Sequence, residues 1–269
     1  MTDYGATGDG VAVDVNGGIL ELCLDRPDRR NALTLAGIVR LVDVLSRAST
    51  DDALRVVVIR GAGENFCSGA DWVSQNTGEA RPRSGSIQRR TPLQAHRLIE
   101  LLIAIQLPVV CVVQGWAAGL GCQLALAADF TLAADSSRFW EPFLDRGFSP
   151  DSGATWLLPR LVGLARAREL LLLGRKLSGD EAQEWGLIHR AVPEQELEGA
   201  ARELIERLAA APTVAVGLTK QALNKGLETG LRQAMAEEAY GLELSSRTGD
   251  FREGLAAFRE GRSPNFEGR

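Results

Sequence analysis

The sequence predicts an α/β protein with a mostly parallel sheet and a helical region at its C-terminal end. Two apolar runs of strand length, residues 56–59 and 109–113, each follow a segment whose apolar residues recur at helical spacing. Repetition of this unit implies parallel strands with helices packed against them. After Glu194 the strand pattern is largely lost and helical patterns dominate. The predicted organisation is therefore a core of residues 1–193 followed by a helical region of residues 194–269.

The first part of the core is predicted to hold a hairpin and then a helix. Residues 11–15 and 19–24 are β-prone runs on either side of an Asn-Gly-Gly turn, where glycine accepts positive φ. Thr34 is a suitable N-cap for a helix whose apolar residues recur at positions 38, 41, 42 and 45. This helix leads into the buried strand at 56–59, which completes a β-α-β unit.

The next part of the chain carries two glycine-bearing turns, separated by a polar segment. The turns, residues 61–72 and 114–123, each follow a predicted strand, and in parallel sheets ligands bind at the carboxyl ends of strands. Between them, residues 75–90 are rich in Gly, Pro, Ser and Arg. This segment is predicted to be either a mobile flap or a surface insertion without function.

Composition argues against several classes of function. A formal net charge of -5 and an isoelectric point near 5.3 give no basic field for nucleic acid. His96 and His189 are the only histidines, and no cluster has the spacing of a zinc or iron site. The four cysteines form no C-x-x-C pair, which favours reduced thiols in the cytoplasm. No apolar run is long enough to span a bilayer, so neither a membrane nor a metal is expected.

The small residues in the two turns suit a particular chemistry. They let backbone N–H groups approach a ligand, and two such donors at neighbouring strand ends match the oxygen of a thioester enolate. Each preorganised donor could lower the barrier by about 3 kcal/mol. Tight turns alone would explain any single glycine loop. Dinucleotide binding and serine hydrolysis are weaker alternatives, because the sequence has neither a complete G-x-G-x-x-G after a strand nor a G-x-S-x-G elbow.

Four segments in order carry a family resemblance: RPDRRNAL, FCSGAD, QGWAAGLGCQLALAAD and PDSGATWLLPRLVG. They resemble the motifs of the crotonase (enoyl-CoA hydratase/isomerase) superfamily, and the similarity runs from about residue 11 to residue 266. The last segment is especially similar to phenylacetate-pathway isomerases. The resemblance implies a crotonase-like spiral of β-β-α units with a C-terminal helical trimerisation region. It also implies an acyl-CoA thioester substrate, no cofactor beyond the coenzyme A of that substrate, and a homotrimer or a dimer of trimers.

The same resemblance assigns residues to the site. By similarity, the backbone N–H groups of Ala70 and Leu120 form the oxyanion hole. Other residues expected to bind the substrate or its coenzyme A are Arg29, Arg30, Ala32, Ser68, Asp71, Trp72, Gly119, Phe143 and Phe258. Of these, Phe258 is expected to close over the coenzyme A arm from the same or a neighbouring subunit.

The sequence departs from the hydratases of the family at two positions. Those hydratases carry two glutamates, whereas this chain has Gln123 and Phe143, and neither residue can act as an acid or base. Asp151 matches an aspartate of the family's isomerases, so we expect it to shuttle a proton between C2 and C4 of the acyl chain. Nearby aromatic residues would raise its pKa by desolvation. The structural alternative makes Asp151 a turn residue or the N-cap of a helix that starts near Ser152.

Two further functions stay open from the sequence. Glu141 or Asp145, which would share a face in an extended segment, could replace the missing glutamate and activate water for hydration. Otherwise they are expected to be solvated or to pair with arginines such as Arg138 and Arg146. The chain could also be an acyl-CoA-binding paralogue without turnover. The two histidines are expected to be packing or surface residues.

Overall fold

The structure is a computed structural model, and it describes residues 4–5, 7–71 and 83–269. Within this part of the chain, seven strands form the main sheet, in the order β1-β2-β3-β4-β5-β7-β10. Their bounds are β1 Thr7–Gly8, β2 Val11–Asn16, β3 Ile19–Leu24, β4 Val56–Gly61, β5 Val109–Val113, β7 Phe130–Ala134 and β10 Arg190–Val192. Strands β1 to β3 pair antiparallel, and every pairing from β3 to β10 is parallel.

A smaller sheet stands beside the carboxyl end of β5. Its strands are β6 Trp116–Ala118, β8 Arg138–Trp140 and β9 Leu177–Ser178, in the order β6-β8-β9. β6 begins three residues after β5 ends and runs parallel to β8. The turn that follows β6 is therefore held between the two sheets.

The helices surround the main sheet and fill the C-terminal part of the chain. They are α1 Leu35–Ala48, α2 Ser86–Arg90, α3 Ala95–Ala104, α4 Leu120–Ala127, α5 Ala154–Leu173, α6 Gly179–Glu184, α7 Leu197–Ala209, α8 Thr213–Gly226, α9 Leu231–Ser245 and α10 Gly249–Glu260. Short 3-10 turns occur at Pro27–Arg29, Thr91–Leu93, Leu144–Arg146 and Glu194–Glu196. Among the described residues, no helix has the length and apolar character that crossing a membrane requires.

Both faces of the central strands β4 and β5 are buried, as their continuous apolar runs predict. Val57 and Ile59 of β4 belong to the larger core, which contains the apolar residues of α1, α3 and α4. Val56 and Val58 face the other way and pack in a second core with α7. Helix α7 lies beyond the predicted boundary at residue 193 and yet covers one face of this sheet.

The mixed α/β fold is confirmed, and so are the local signals in its first part. The predicted hairpin is β2 and β3, paired from Val11↔Leu24 to Asn16↔Ile19. Thr34 is the N-cap of α1, and its side chain accepts a hydrogen bond from the Gly37 amide at 3.0 Å. Of the polar segment predicted at 75–90, residues 75–82 lie outside the described residues, and its end forms α2.

Polar side chains of helix α8 form hydrogen bonds with the C-terminal end of α3. The last carbonyl groups of a helix have no partner within it. Lys220 donates to the carbonyl oxygens of Leu102 at 2.8 Å and Leu107 at 3.2 Å, and Asn224 donates to that of Ile103 at 3.0 Å. Lys220 also pairs with Asp129 at 2.7 Å. The helical region is therefore anchored to the core by a buried lysine and its ion pair with a partly exposed aspartate.

Replacing Lys220 by methionine is expected to lower the free energy of unfolding by about 1–3 kcal/mol, because it leaves the partly exposed Asp129 carboxylate without its cationic partner. Burial already raises the pKa of Asp129. Urea unfolding of the two proteins measures the difference. Lys225→Met is the matched control: Lys225 pairs with Glu237 at the surface, so its loss should cost less than about 1 kcal/mol. Equal losses of unfolding free energy in the two variants would contradict this role of the Lys220–Asp129 pair.

Candidate active site

The two glycine-bearing turns come together because glycines stand where the backbones meet. Gly69 has a φ of +97°, and a Cβ atom there would lie 2.7 Å from the Ala118 carbonyl oxygen and 3.5 Å from the Leu120 nitrogen. A Cβ atom on Gly121 would overlap the Cys67 carbonyl group. Only a residue without a side chain permits this approach. The backbone around residue 69 thus lies against the start of α4.

The amides of Ala70 and Leu120 are left without backbone partners. Leu33 forms hydrogen bonds with the residues on either side of Ala70. Its N–H donates to the Gly69 oxygen at 2.8 Å, and its oxygen accepts from the Asp71 amide at 2.8 Å. Leu120 is the first residue of α4, where backbone N–H groups have no acceptor within the helix. Neither amide donates to another of the described residues. Two free donors therefore lie at adjoining turns.

Ala70 and Leu120 both line one small cavity of about 60 Å³, and Asp151 lines the same cavity. The predicted site residues that line it are Ser68, Ala70, Gly119, Leu120, Phe143 and Asp151. Phe143 packs edge-to-face on Phe148, with ring centroids 5.6 Å apart, and both rings line the cavity. The structure therefore brings together two backbone donors, one carboxyl group and an aromatic wall.

Asp151 is placed by a tight turn before α5. Ser152 and Gly153 both have positive φ, and the N-cap of α5 is Gly153, without a side-chain hydrogen bond. The alternative that Asp151 caps this helix is therefore wrong. Burial raises the pKa of Asp151, while a hydrogen bond with Ser152 and the charge of His96 act in the opposite direction. A raised pKa makes the carboxylate a stronger base, which favours its use as a proton acceptor that later returns the proton.

Replacing His96 by glutamine is expected to raise the pKa of Asp151 further, because it removes the charge interaction with His96 that lowers this pKa. If the reaction needs the ionised carboxylate, activity falls as the pH is lowered through the pKa of Asp151. In this variant the fall should therefore begin at a higher pH. The acid limb of the kcat/KM profile measures this shift. His189→Gln is the matched control, since His189 packs on Phe130 at 5.1 Å, outside the cavity. Acid limbs that move equally in both variants would exclude a specific effect of His96.

Gln123, at one of the two positions where the sequence lacks a glutamate, is in direct contact with Glu141. Gln123 is fully buried in α4, and its Nε2 donates to both carboxyl oxygens of Glu141 at 2.7 Å. Glu141 is only 2% exposed, and burial raises its pKa to about 8. The expectation that Glu141 is solvated or paired with an arginine is therefore wrong.

Asp145 is in different surroundings from Glu141. It lies in the 3-10 turn Leu144–Arg146, is exposed and does not line the cavity among the described residues. The segment is not extended, so the prediction that Glu141 and Asp145 share one face does not hold.

The remaining predicted residues surround the cavity or lie away from it. Asp71 pairs with Arg26 at 3.1 Å, and the same Arg26 atom donates to the Ala32 oxygen at 2.6 Å. Phe258 is 87% exposed on α10 and does not line the cavity of its own chain. Trp72 lies outside the described residues.

Arg29 and Arg30 are exposed next to the first turn. The Ser68 amide donates to the Arg30 oxygen at 2.9 Å, and its hydroxyl group donates to the Arg29 oxygen at 3.3 Å. The side chains of both arginines therefore stand in solvent beside the entrance formed by this turn.

Four polar lining residues were missed from the sequence: Thr91, Gln94, Arg146 and Ser152. The first two follow the polar segment, whose composition gave no sign of a site. Ser152 also lines a second, open cavity of about 1050 Å³ between α3, α5, α8 and α9. No set of three or more His, Cys, Asp and Glu side chains that could hold a metal ion occurs in the described ranges.

Comparison with known proteins identifies the family of this chain. The family model for enoyl-CoA hydratase/isomerase matches residues 14–269. The chain is 39% identical over 258 residues to 1,2-epoxyphenylacetyl-CoA isomerase of Escherichia coli (strain K12), covering 95% of this chain and 97% of the relative. It is 35% identical over 248 residues to crotonyl-CoA hydratase of Syntrophomonas wolfei, covering 91% and 93%.

A solved structure confirms the fold. The crystal structure of enoyl-CoA hydratase from Bacillus anthracis superposes with a TM-score of 0.90 at 32% identity, covering 97% of this chain and 100% of that one. The crotonase-like fold predicted from the motifs is thus confirmed. With a family model that spans most of the sequence and relatives that match it end to end, the chain belongs to the enoyl-CoA hydratase/isomerase family.

Proposed function

We propose that this enzyme moves a carbon–carbon double bond in an acyl-CoA thioester, with Asp151 as the proton shuttle. One observation carries the proposal: among the described residues, Asp151 is the only carboxyl group that lines the cavity of the Ala70 and Leu120 amides. The similarity to an enzyme named as an epoxyphenylacetyl-CoA isomerase supports the same class of reaction and favours a ring-bearing acyl group.

The reaction follows from the placement of these groups. The thioester oxygen accepts hydrogen bonds from the two amides, which stabilise the negative charge when an acidic carbon of the acyl chain loses a proton. For a 3-enoyl substrate, the Asp151 carboxylate removes a proton from C2. The resulting dienolate is protonated at C4 by the same carboxylic acid, and the double bond moves to C2–C3. The proton is conserved, so neither water nor a cofactor other than the substrate's own coenzyme A is consumed.

The rest of the predicted site binds the substrate in this proposal. The exposed Arg29 and Arg30 side chains, with Ala32, lie along the coenzyme A arm, because guanidinium groups bind phosphates. Phe258 is too exposed to act within its own chain, so it closes over a neighbouring subunit. A homotrimer or a dimer of trimers would supply that neighbour. We place the enzyme in the cytoplasm.

Hydration is the second candidate, because relatives named as hydratases match nearly as well. In that reaction Glu141 or Asp145 would have to activate water, yet neither carboxyl group lines the cavity within the described residues. Acyl-CoA binding without turnover is the third candidate, motivated by the absence of the glutamate pair.

Incubation with a trans-2-enoyl-CoA and with a 3-enoyl-CoA separates the three candidates. Isomerisation interconverts the two substrates at constant mass. Hydration adds one water molecule to the 2-enoyl substrate, which mass spectrometry detects. Tight coenzyme A binding without product from either substrate would identify a binding protein. Straight-chain and ring-bearing acyl groups are compared in parallel, and only constant-mass conversion supports the proposed function.

A further inference from the structure

Two adjacent links tie the end of β8 to the first turn of α4. The Gly119 amide donates to the Trp140 oxygen at 2.9 Å. The side chains of Gln123, four residues after Gly119, and of Glu141, one residue after Trp140, make the paired contact described above. Leu120 lies in the same turn of α4 as Gln123. The side-chain pair therefore bears directly on the position of the Leu120 amide.

The hydrogen bonding of this pair is incomplete if Glu141 is ionised. Gln123 Oε1 is buried and has no donor among the described residues. A carboxylate can only accept, whereas a carboxylic acid also carries one O–H donor. The assignment of O and N in a glutamine side chain follows from its hydrogen bonds. A neutral Glu141 would donate to Oε1 and accept from Nε2, so both residues would be satisfied.

The charged groups around the pair agree with a neutral acid. Cys122 of α4 hydrogen-bonds to Glu141, and burial raises the pKa of that thiol well above its usual value. Asp151 faces it from the turn before α5 and adds a negative charge. The cations on this side, Lys176 and Arg146, lie over the Trp140 ring at 4.5 and 6.0 Å from its centroid. Neither forms an ion pair with Glu141 among the described residues.

We propose that Glu141 is a positioning residue that, as a neutral acid paired reciprocally with Gln123, holds the first turn of α4 and thereby the Leu120 amide. This inference rests on the proposed function, in which that amide binds the thioester oxygen. Ionisation of Glu141 breaks the reciprocal pair and places a negative charge close to the site where the enolate forms. Burial raises the pKa of Glu141 to about 8, so the neutral form prevails below that pH.

The first test compares the pH profiles of kcat for the wild type, Glu141→Gln and Glu141→Ala. The wild type should lose activity as the pH rises through about 8. Glutamine retains a donor and an acceptor but cannot ionise, so Glu141→Gln should lose this alkaline limb and keep most of the activity. Alanine removes the link, and kcat should fall about 10- to 100-fold with a smaller change in KM. Glu203→Gln, an exposed substitution on α7, is the matched control and should keep the wild-type profile.

The second test needs no substrate. Infrared titration of the ligand-free enzyme follows the C=O stretch of protonated carboxyl groups. The band that is present in the wild type and absent from Glu141→Gln belongs to Glu141. The band should disappear with a midpoint near pH 8. A Glu141 that ionises in the ordinary range for glutamate, or an alkaline limb that is unchanged in Glu141→Gln, would overturn the inference. A titration near pH 8 in a protein that isomerises no acyl-CoA would instead refute the proposed function and leave the neutral pair established.

Discussion

Replacing Asp151 by asparagine is expected to lower kcat for isomerisation by about 10²- to 10⁴-fold, the usual contribution of a positioned acid or base. Asparagine has nearly the same shape, so substrate binding and KM should change much less. Stopped assays with a 3-enoyl-CoA measure both constants. The activity is lost because Asp151 is the one carboxyl group among the described residues that line the cavity. An amide cannot carry a proton from C2 to C4.

Asp145→Asn serves as the matched control for this substitution. The residue is an exposed aspartate six positions earlier in the chain and lies outside the described lining of the cavity. Its substitution should leave isomerisation unchanged, and a loss would favour the hydration alternative that employs this residue. Isomerisation that proceeds at the wild-type rate in Asp151→Asn would remove Asp151 from the mechanism.

Replacing Leu120 by proline should lower kcat by about 10²- to 10³-fold, because it removes one of the two amides that stabilise the enolate oxygen. Proline is tolerated at the first position of a helix, where the missing N–H has no partner within the helix. Leu120 occupies that position in α4. Leu120→Ala retains the amide, so it measures the cost of trimming the side chain alone.

Steady-state kinetics of both Leu120 variants, with circular dichroism and Tm as checks of folding, give the comparison. The proline variant should be far slower than the alanine variant, while its helix content and Tm stay close to those of the alanine variant, because both lose the buried Leu120 side chain. If the two variants lose the same activity, the Leu120 amide does not act on the thioester oxygen.

The local features of this protein follow from its sequence alone. The β2–β3 hairpin, the Thr34 N-cap and the buried strands β4 and β5 were all predicted, because turn glycines, caps and apolar runs act over a few neighbouring residues. The glycines of the two turns and the family motifs indicated where the site lies. Asp151 was chosen by its match to the family, since its immediate neighbours read equally well as an ordinary turn.

Tertiary structure alone decided which polar groups lose contact with water. Glu141 reads as a surface residue in a polar stretch, yet the packing of α4 against the end of β8 buries it against Gln123, 18 positions earlier in the chain. The same holds for Lys220, whose partners Leu102 and Asp129 lie more than 90 residues away. Burial and proton affinity depend on what packs over a side chain. No local pattern contains that information, because those contacts form between distant segments.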